Sequence, residues 1–235
     1  MLSTIKTGVL TVASAYPDPP FDVSAGDYRS GFDIELMRHI CAMLNLRLRT
    51  VAYTGSNFNG IFDGLARREY DAVISGTTIT PDRAQIVLFS QPYLEFGQGV
   101  AVNRAVHPHV HSVNDLKGVI AGIQQGNTSE APARKLVAEG VLASIQFYPY
   151  DGILHALDDL EANRIGCIIK LHPVITELVR NRPKLYVPLE IPTHEKLGIA
   201  FAKDNTQLCE AVNTALDTLT RNGTLEALGR RWITP

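Results

Sequence analysis

Long apolar runs, cysteine motifs and a strong net charge of either sign are missing from this 235-residue sequence. No segment approaches the ~18 consecutive apolar residues that a membrane-spanning helix needs. Lys and Arg total 22 against 24 Asp and Glu, a formal net charge of -2. This balance argues against a protein that binds nucleic acids through their phosphates. The first residues show no basic segment followed by an apolar one, so we expect a protein that is either cytosolic or secreted and freed of its signal.

Metal and redox sites are not indicated either. The three cysteines lie far apart in apolar segments, at Cys41, Cys167 and Cys209. Their odd number excludes a fully paired disulfide framework, and their surroundings predict small buried residues. His107, His109 and His111 alternate, which on a strand would place three imidazoles on one face. Because Pro108 disturbs a strand, an exposed connector is the expected structure and a metal site is the alternative.

Motifs of nucleophilic catalysis and cofactor binding are also absent, namely G-x-S-x-G, G-x-G-x-x-G, G-x-x-x-x-G-K and H-E-x-x-H. We therefore expect no cofactor, no metal and no catalytic residue. Hydroxyl, amide and basic side chains at the ends of apolar segments remain to be explained. They indicate recognition of a small solute that carries an anion.

Hydrophobic periodicity predicts alternating strands and helices, and the alternation restarts after about residue 112. Strands are predicted at 8–13, 46–51, 71–75, 119–123, 145–148 and 166–170. Helices are predicted at 32–44, 61–68, 129–138, 152–162, 173–180, 206–221 and 224–232. This order is typical of an α/β fold, in which helices cover the faces of a sheet with parallel strands.

Two further strand-like segments, 98–103 and 197–202, flank the second half and are the expected crossings between two units. We predict a first lobe of residues 1–96 plus 198–235 and a second lobe of residues 97–197. A ligand would then bind in the cleft between the lobes, outside the carboxyl ends of the strands.

The most informative segment, 71–83, joins a predicted buried strand to a helix that Thr80 is expected to cap. The loop between them offers hydroxyls, backbone N–H donors and a flexible residue, from Ser75, Gly76 and Thr78. Arg83 lies in the first helical turn, where a cation is disfavoured unless an anion is near. A guanidinium beside unpaired N–H groups can hold a carboxylate with two parallel bonds. The alternative is a surface ion pair with Asp82 or Glu95.

The second half contains a similar turn. A polar loop that starts at Gln124 follows the predicted strand 119–123 and includes Thr128. Asn127, with Glu130 three residues later, predicts a capping box at the start of a helix. These residues either cap the helix only or also bind the ligand. Two such turns, one in each lobe, favour a shared site.

Three further side chains are candidates for ligand contacts. Phe58 and Tyr16 lie in polar loops that follow predicted strands, where a ring either stacks on a ligand or packs at the edge of the core. Lys170 ends a predicted strand, so its ammonium group either meets an anion of the ligand or reaches solvent.

Nearly the whole chain resembles the amino-acid class of bacterial periplasmic solute-binding proteins (family 3), which serve ABC importers. The resemblance is carried, in order, by GFDIELM, FDGLARREYDAVISGTTITPDRAQIVLFSQPY, GIQQGNTSE, GIAFAKDN and NGTLEALGRRW. It implies a two-lobed clamshell of periplasmic-binding-protein type II, each lobe a mixed sheet flanked by helices. Such a protein is a secreted monomer of the periplasm that closes on one small solute and docks on membrane permease subunits.

The resemblance also implies roles for the candidate residues. Arg83 would hold the α-carboxylate of the solute. It would be helped by the amides and hydroxyls of Gly76, Thr78 and Thr128. The walls of the side-chain slot would be formed by Phe58 and by Tyr16 or Asp18.

The sequence departs from the family where an ammonium group is usually bound. Members that bind ordinary amino acids usually have an Asp just after the second-lobe strand, and here that position is Leu171. The acid expected in the first lobe is Ala15. A buried ammonium without its carboxylate costs roughly 2–5 kcal/mol. We therefore predict a carboxylate-bearing ligand without a conventionally held α-ammonium: a modified or cyclic amino acid, or an organic acid whose second anion meets Lys170.

Two alternatives to a transport receptor stay open. An enzyme similar to cyclohexadienyl dehydratases would need a general acid, for which Lys170 could be recruited, but no Asp or Glu stands at that strand end. The sensing domain of a membrane receptor would have the same binding chemistry, so the residues do not distinguish it from a transport protein.

Overall fold

The structure is a computed structural model that describes residues 2–25 and 28–233. The chain divides into two compact units. The first unit consists of Met1–Thr54, Gly60–Glu95 and Glu195–Pro235, and the second of Gly55–Asn59 and Phe96–His194. Periodicity gave no signal that the short segment Gly55–Asn59 belongs with the second unit. The finer lobe bounds expected from the sequence stay a prediction.

Strands and helices alternate along the chain in the order expected of an α/β fold. The strands are β1 (Val9–Ala15), β2 (Val23–Ala25), β3 (Tyr28–Ser30), β4 (Arg47–Tyr53), β5 (Ala72–Val73), β6 (Val87–Phe89), β7 (Leu94–Asn103), β8 (Ile120–Gln124), β9 (Ser144–Tyr148), β10 (Cys167–Leu171), β11 (Leu185–Leu197) and β12 (Ala200–Ala202). The helices are α1 (Phe32–Met43), α2 (Asp63–Ala66), α3 (Pro81–Ile86), α4 (Glu130–Ala138), α5 (Ile153–Glu161), α6 (His172–Val179), α7 (Thr206–Arg221) and α8 (Thr224–Trp232).

A five-stranded mixed sheet forms the centre of the first unit, in the order β4–β1–β5–β12–β6. β1 is parallel to β4 and β5, whereas β12 is antiparallel to β5 and β6. Every residue of β1 is buried, and α1 packs against β4 through its apolar face. Because parallel strands end at the same edge of a sheet, the segments that follow β1 and β5 start close together.

The second unit has its own five-stranded sheet, in the order β11–β7–β10–β8–β9. β8 is parallel to both β9 and β10, and β10 is antiparallel to β7. The loops that follow β8 and β9 and the end of β10 therefore share one edge of the sheet. Apolar residues from both faces of this sheet form two separate core clusters with the flanking helices.

Local sequence signals account for several helix ends. The side chain of Thr80 accepts a hydrogen bond from the backbone N–H of Arg83 (3.2 Å), which confirms the predicted cap of α3. Gly31 precedes α1 with φ 112°, and a Cβ atom there would lie 2.2 Å from the carbonyl oxygen of Phe21. Glycine is thus required at this position. Gly223, with φ 79°, separates α7 from α8 as its helix-stop pattern predicts.

Two sequence-based expectations about helices are wrong. The helix predicted at 61–68 is a 3-10 turn, Phe58–Phe62, followed by the four-residue α2. Asn127 does not form a capping box, because α4 begins at Glu130 after Ser129, which makes no side-chain cap bond. The amide of Asn127 instead donates to Oε1 of Gln124 at 3.3 Å, and such local bonds compete with caps.

The cysteines are buried, and His109 and His111 of the histidine-rich segment are exposed. Cys41, Cys167 and Cys209 are buried free thiols, as predicted, and burial raises the pKa of the first two to about 12. His109 and His111 are exposed in an irregular connector. Within residues 2–25 and 28–233, no cluster of three His, Cys, Asp or Glu is arranged for a metal ion. In the same ranges, every helix is too short or too polar to cross a membrane.

Candidate ligand-binding site

The loop that follows β5 contains three of the predicted ligand-binding residues in the first unit. The hydroxyl of Ser75 donates to Oδ2 of Asp22 (2.5 Å), and the N–H of Gly76 donates to Oδ2 of Asp33 (2.7 Å). Gly76 has a positive φ of 51°, which suits glycine. The expectation that these donors have no partner in the protein is therefore wrong, because two buried carboxylates already accept from them. These bonds fix the path of the loop.

Asp22 and Asp33 are both fully buried and lie close enough for their charges to interact. Burial raises the pKa of Asp33 to about 7, although the bonds from Gly76 and from the Tyr93 hydroxyl (2.9 Å) oppose the shift. Burial, followed by the neighbouring charge of Asp33, raises the pKa of Asp22 well above its ordinary value. Sequence reasoning missed this pair. The one signal in the sequence was Asp33, whose carboxylate lies between two large apolar residues at the start of α1.

Arg83 is buried in the first turn of α3, with 6% of its surface exposed. Its Nη1 donates to the carbonyl oxygen of Thr78 at 3.0 Å, and its guanidinium lies 5.3 Å from the ring centroid of Phe62. These contacts hold the cation at the base of the loop after β5. A buried guanidinium of this kind is not the solvent-exposed side chain that a surface ion pair requires.

We expect Thr80→Ala to lower the free energy of unfolding of the first unit by about 1 kcal/mol, because the N-cap of α3 is lost. Trp232, the single tryptophan of the chain, lies in α8 of the first unit. Urea unfolding followed by its fluorescence measures the change. Thr214→Ala, at an exposed position inside α7, is the matched control and should leave the midpoint unchanged or raise it. Equal midpoints for Thr80→Ala and the unmodified protein would contradict the prediction.

Glu195 was missed by the sequence analysis and contacts the same loop of the first unit. The hydroxyl of Thr78 donates to Oε2 of Glu195 at 2.7 Å. The segment after Glu195 pairs with residues 77–79, since Ile79 N–H donates to the Lys196 carbonyl (2.8 Å) and Gly198 N–H to that of Thr77 (2.9 Å). The contact joins residues 117 positions apart, so no local pattern reveals it.

Tyr16 and Asp18 follow β1 in the first unit. Burial raises the pKa of the Tyr16 hydroxyl, and the guanidinium of Arg29 lies 4.9 Å from its ring centroid. Asp18 is buried, and its backbone N–H and carbonyl bond to those of Asp22. Ala15, where an acid was expected, is a buried core residue of β1. The acidic side chain of this segment is therefore that of Asp18, three residues after Ala15.

Lys170 and Gln124 form the centre of the candidate site in the second unit. Lys170 is 3% exposed, which excludes the alternative of an ammonium group that reaches solvent. Its Nζ donates to Oε1 of Gln124 at 2.8 Å and lies 5.5 Å from the ring centroid of Tyr150. The amide nitrogen of Gln124 also donates to the carbonyl oxygen of Tyr150. Tyr150, which the sequence analysis did not select, thus helps to hold the cation.

Phe58 packs in the second unit rather than in the first. Its ring centroid lies 5.1 Å from that of Tyr150 at an interplanar angle of 44°, and its N–H donates to the Gln125 carbonyl (3.1 Å). Gly126 has φ 80°, and a Cβ atom there would lie 2.3 Å from Oδ1 of Asn57. Only glycine permits this close approach of the loop after β8 to residues 57–59.

Thr128 completes the polar groups of the second unit. Its Oγ1 accepts a hydrogen bond from the amide of Gln98 at 3.3 Å. Oε1 of Gln124 accepts from both Lys170 and Asn127. The structure therefore brings together Gln124, Asn127, Thr128, Lys170 and Phe58 in one unit. In the other unit it brings together Ser75, Gly76, Thr78 and Arg83.

Comparison with known families decides the identity of the fold. Residues 10–235 match the model of the bacterial extracellular solute-binding proteins, family 3. The chain belongs to this family. As a family 3 protein, it has the two mixed sheets flanked by helices that the sequence predicted, and both the fold class and the resemblance are confirmed.

Named relatives and solved structures agree with this family assignment. The chain is 30% identical to ABC transporter arginine-binding protein 1 of Escherichia coli K12, over 94% of its own length and 88% of the relative. It is 27% identical to the L-cystine-binding protein TcyJ of the same strain, over 99% and 86%. An ancestral arginine-binding protein bound to arginine matches with a TM-score of 0.85 and 30% identity, over 96% of this chain and 98% of that one. The predicted solute-binding role is therefore confirmed.

Proposed function

We propose that this family 3 protein binds a small carboxylate-bearing solute and delivers it to the permease subunits of an ABC importer. The observation that carries the proposal is the buried guanidinium of Arg83, held at the base of a loop that contains Gly76 and Thr78. A buried forked cation suits a carboxylate, which accepts two parallel hydrogen bonds. Relatives named for arginine and cystine binding support an amino-acid-like solute.

The second unit, described by itself, also offers a cation, amides and aromatic rings to a small solute. Lys170, held by Gln124 and Tyr150, attracts an anion of the ligand. Phe58 offers a ring for aliphatic or aromatic parts of the ligand, as does Tyr16 in the first unit. Asn127 and Thr128 add polar groups from the loop after β8.

The setting of the proposed function is the periplasm, where the protein acts as a monomer without a cofactor. The family is extracellular, and the two relatives described above are binding proteins.

A solved neighbour at TM-score 0.84 and 28% identity is an ancestral amino acid-binding protein described as a precursor of cyclohexadienyl dehydratase. We propose binding without turnover, so prephenate absorbance should stay constant with the protein present. Steady prephenate loss would contradict this.

A screen for ligands tests the proposal directly. The protein is mixed with L-arginine, L-cystine, L-histidine, proline-like cyclic amino acids and small organic acids such as succinate, and its unfolding temperature is recorded. We expect at least one carboxylate to raise this temperature and to bind with a Kd below about 10 μM by calorimetry. The matching alcohol or amide, which lacks the carboxylate, is the control and should not bind. Stabilisation by the control alone would contradict a carboxylate ligand.

We expect Lys170→Met to weaken binding of the ligand found in this screen about tenfold, because a desolvated cation is lost while the aliphatic volume is kept. Lys117→Met, at an exposed position of the same unit, is the matched control and should bind as the unmodified protein does. Calorimetry gives both Kd values. An unchanged Kd for Lys170→Met would remove this residue from the site.

A further inference from the structure

Thr78 is contacted by a cation and by an anion of the same unit. The guanidinium of Arg83 donates to its carbonyl oxygen at 3.0 Å, and its hydroxyl donates to the carboxylate of Glu195 at 2.7 Å. All three residues are buried, with 6%, 8% and 5% of their surfaces exposed for Arg83, Glu195 and Thr78. A guanidinium and a carboxylate are thus bound to the two ends of one small residue.

The backbone around this trio is fixed by hydrogen bonds within the unit. Thr77 and Ile79 pair with residues 196–198, directly after Glu195, through the 2.9 Å and 2.8 Å bonds described above. The cap at Thr80 fixes the start of the helix that bears Arg83. Because these charged side chains are already held in place, little free energy is needed to reposition them when a ligand binds.

We propose that Glu195 binds the α-ammonium group of an amino acid whose carboxylate is held by Arg83. This rests on the proposed function and narrows the ligand to α-amino acids. In an α-amino acid one carbon separates the ammonium from the carboxylate. Binding both groups therefore requires an anionic and a cationic side chain of the protein that lie close together. Arg83 and Glu195 meet this condition because both reach Thr78. The Thr78 hydroxyl donates to Glu195 and keeps lone pairs that can accept from the ammonium.

Charge in the second unit disfavours an ammonium site at its own strand end. The strand end at Leu171 carries no acid, and the neighbouring Lys170 would repel an ammonium group bound there. In the first unit, Glu195 of β11 is a buried acid whose carboxylate contacts the loop that contains Thr78. Its negative charge also disfavours a ligand with a second carboxylate close to the first. The departure at Leu171 changes which residue holds the ammonium and does not exclude an amino acid.

Calorimetry on the full chain tests this inference. The probes are the twenty standard L-amino acids and L-cystine, followed by the des-amino carboxylic acid that corresponds to the tightest binder. We expect the unmodified protein to bind the amino acid at least tenfold more tightly than the des-amino acid. Glu195→Gln should lose at least tenfold in affinity for the amino acid and little for the des-amino acid. The glutamine still accepts the Thr78 hydroxyl bond, and Glu210→Gln, at an exposed position in α7, is the control.

Three results would overturn the inference. The first is equal affinity of the unmodified protein for the amino acid and its des-amino analogue, which needs no variant to fold. The second is an equal loss for both probes in Glu195→Gln, which indicates a structural role. The third is binding of organic acids but of no amino acid, which leaves the proposed function standing. If no carboxylate of any kind binds, the proposed function fails as well.

Discussion

Replacing Arg83 with alanine is expected to weaken ligand binding by at least about 2 kcal/mol, which is roughly 30-fold in Kd. The reason is that the guanidinium is buried at 6% exposure and held in place by the Thr78 carbonyl and the Phe62 ring. Without it, a carboxylate would be bound in a desolvated place with no cation to balance its charge. Calorimetry with the ligand identified by the screen measures the difference.

Two further variants separate charge from geometry. Arg83→Lys keeps the positive charge but not the forked pair of donors. We therefore expect its affinity for the ligand to be about tenfold lower than that of the unmodified protein, a smaller loss than in Arg83→Ala. Arg230→Ala removes an exposed cation from α8 of the same unit and should leave the Kd unchanged, since surface charges contribute little. The unfolding temperature of each variant without ligand shows whether the fold is kept. A folded Arg83→Ala protein with the original Kd would remove Arg83 from the site.

Features that depend on nearby residues were predictable from the sequence. The alternation of apolar residues indicated the strands and helices of both sheets, and the cap at Thr80 follows from its position just before Pro81. Arg83 was identified because the helix dipole disfavours a cation in the first turn of a helix unless an anion lies nearby. Lys170 was identified because it ends a strand. These signals span fewer than about ten residues, and each is set by backbone geometry that adjacent side chains determine.

Features that depend on distant residues were not predictable. The bond between Gly76 and Asp33 joins positions 43 apart, and the bond between Thr78 and Glu195 joins positions 117 apart. Phe58 lies in the first quarter of the chain but stacks with Tyr150. In each case both partners look ordinary in their own segments, because their chemistry arises only when the fold brings them together.

The buried acid pair in the first unit is expected to make the protein less stable as the pH rises. Burial raises the pKa of Asp33 to about 7, and burial together with the charge of Asp33 raises the pKa of Asp22 well above its ordinary value. Tyr93 and Gly76 oppose the shift by donating to Asp33, and the charge of Asp18 reinforces it. The folded state thus binds protons more tightly than the unfolded state, whose carboxyl groups titrate near pH 4.

The sign of the effect follows from proton linkage. Between about pH 4 and pH 7 the folded protein holds protons that the unfolded chain has released, so the free energy of unfolding falls as the pH rises. The slope is about 1.4 kcal/mol per pH unit for each excess proton. Acids with lowered pKa values, such as Asp115 and Asp159, contribute the opposite slope, but that contribution is lost only below about pH 4. We therefore expect a loss of about 2 kcal/mol between pH 5 and pH 7 from Asp33 alone, and the raised pKa of Asp22 adds to this loss.

Urea unfolding followed by Trp232 fluorescence at a series of pH values measures this slope in the first unit. Asp33→Asn should flatten it, because the amide does not titrate yet can accept the Gly76 bond and donate to the Tyr93 oxygen. Relative to the unmodified protein, this variant becomes more stable as the pH rises. Asp82→Asn, at an exposed position of α3, is the control and should keep the original slope. The same pH dependence in Asp33→Asn as in the unmodified protein would show that Asp33 does not titrate in this range.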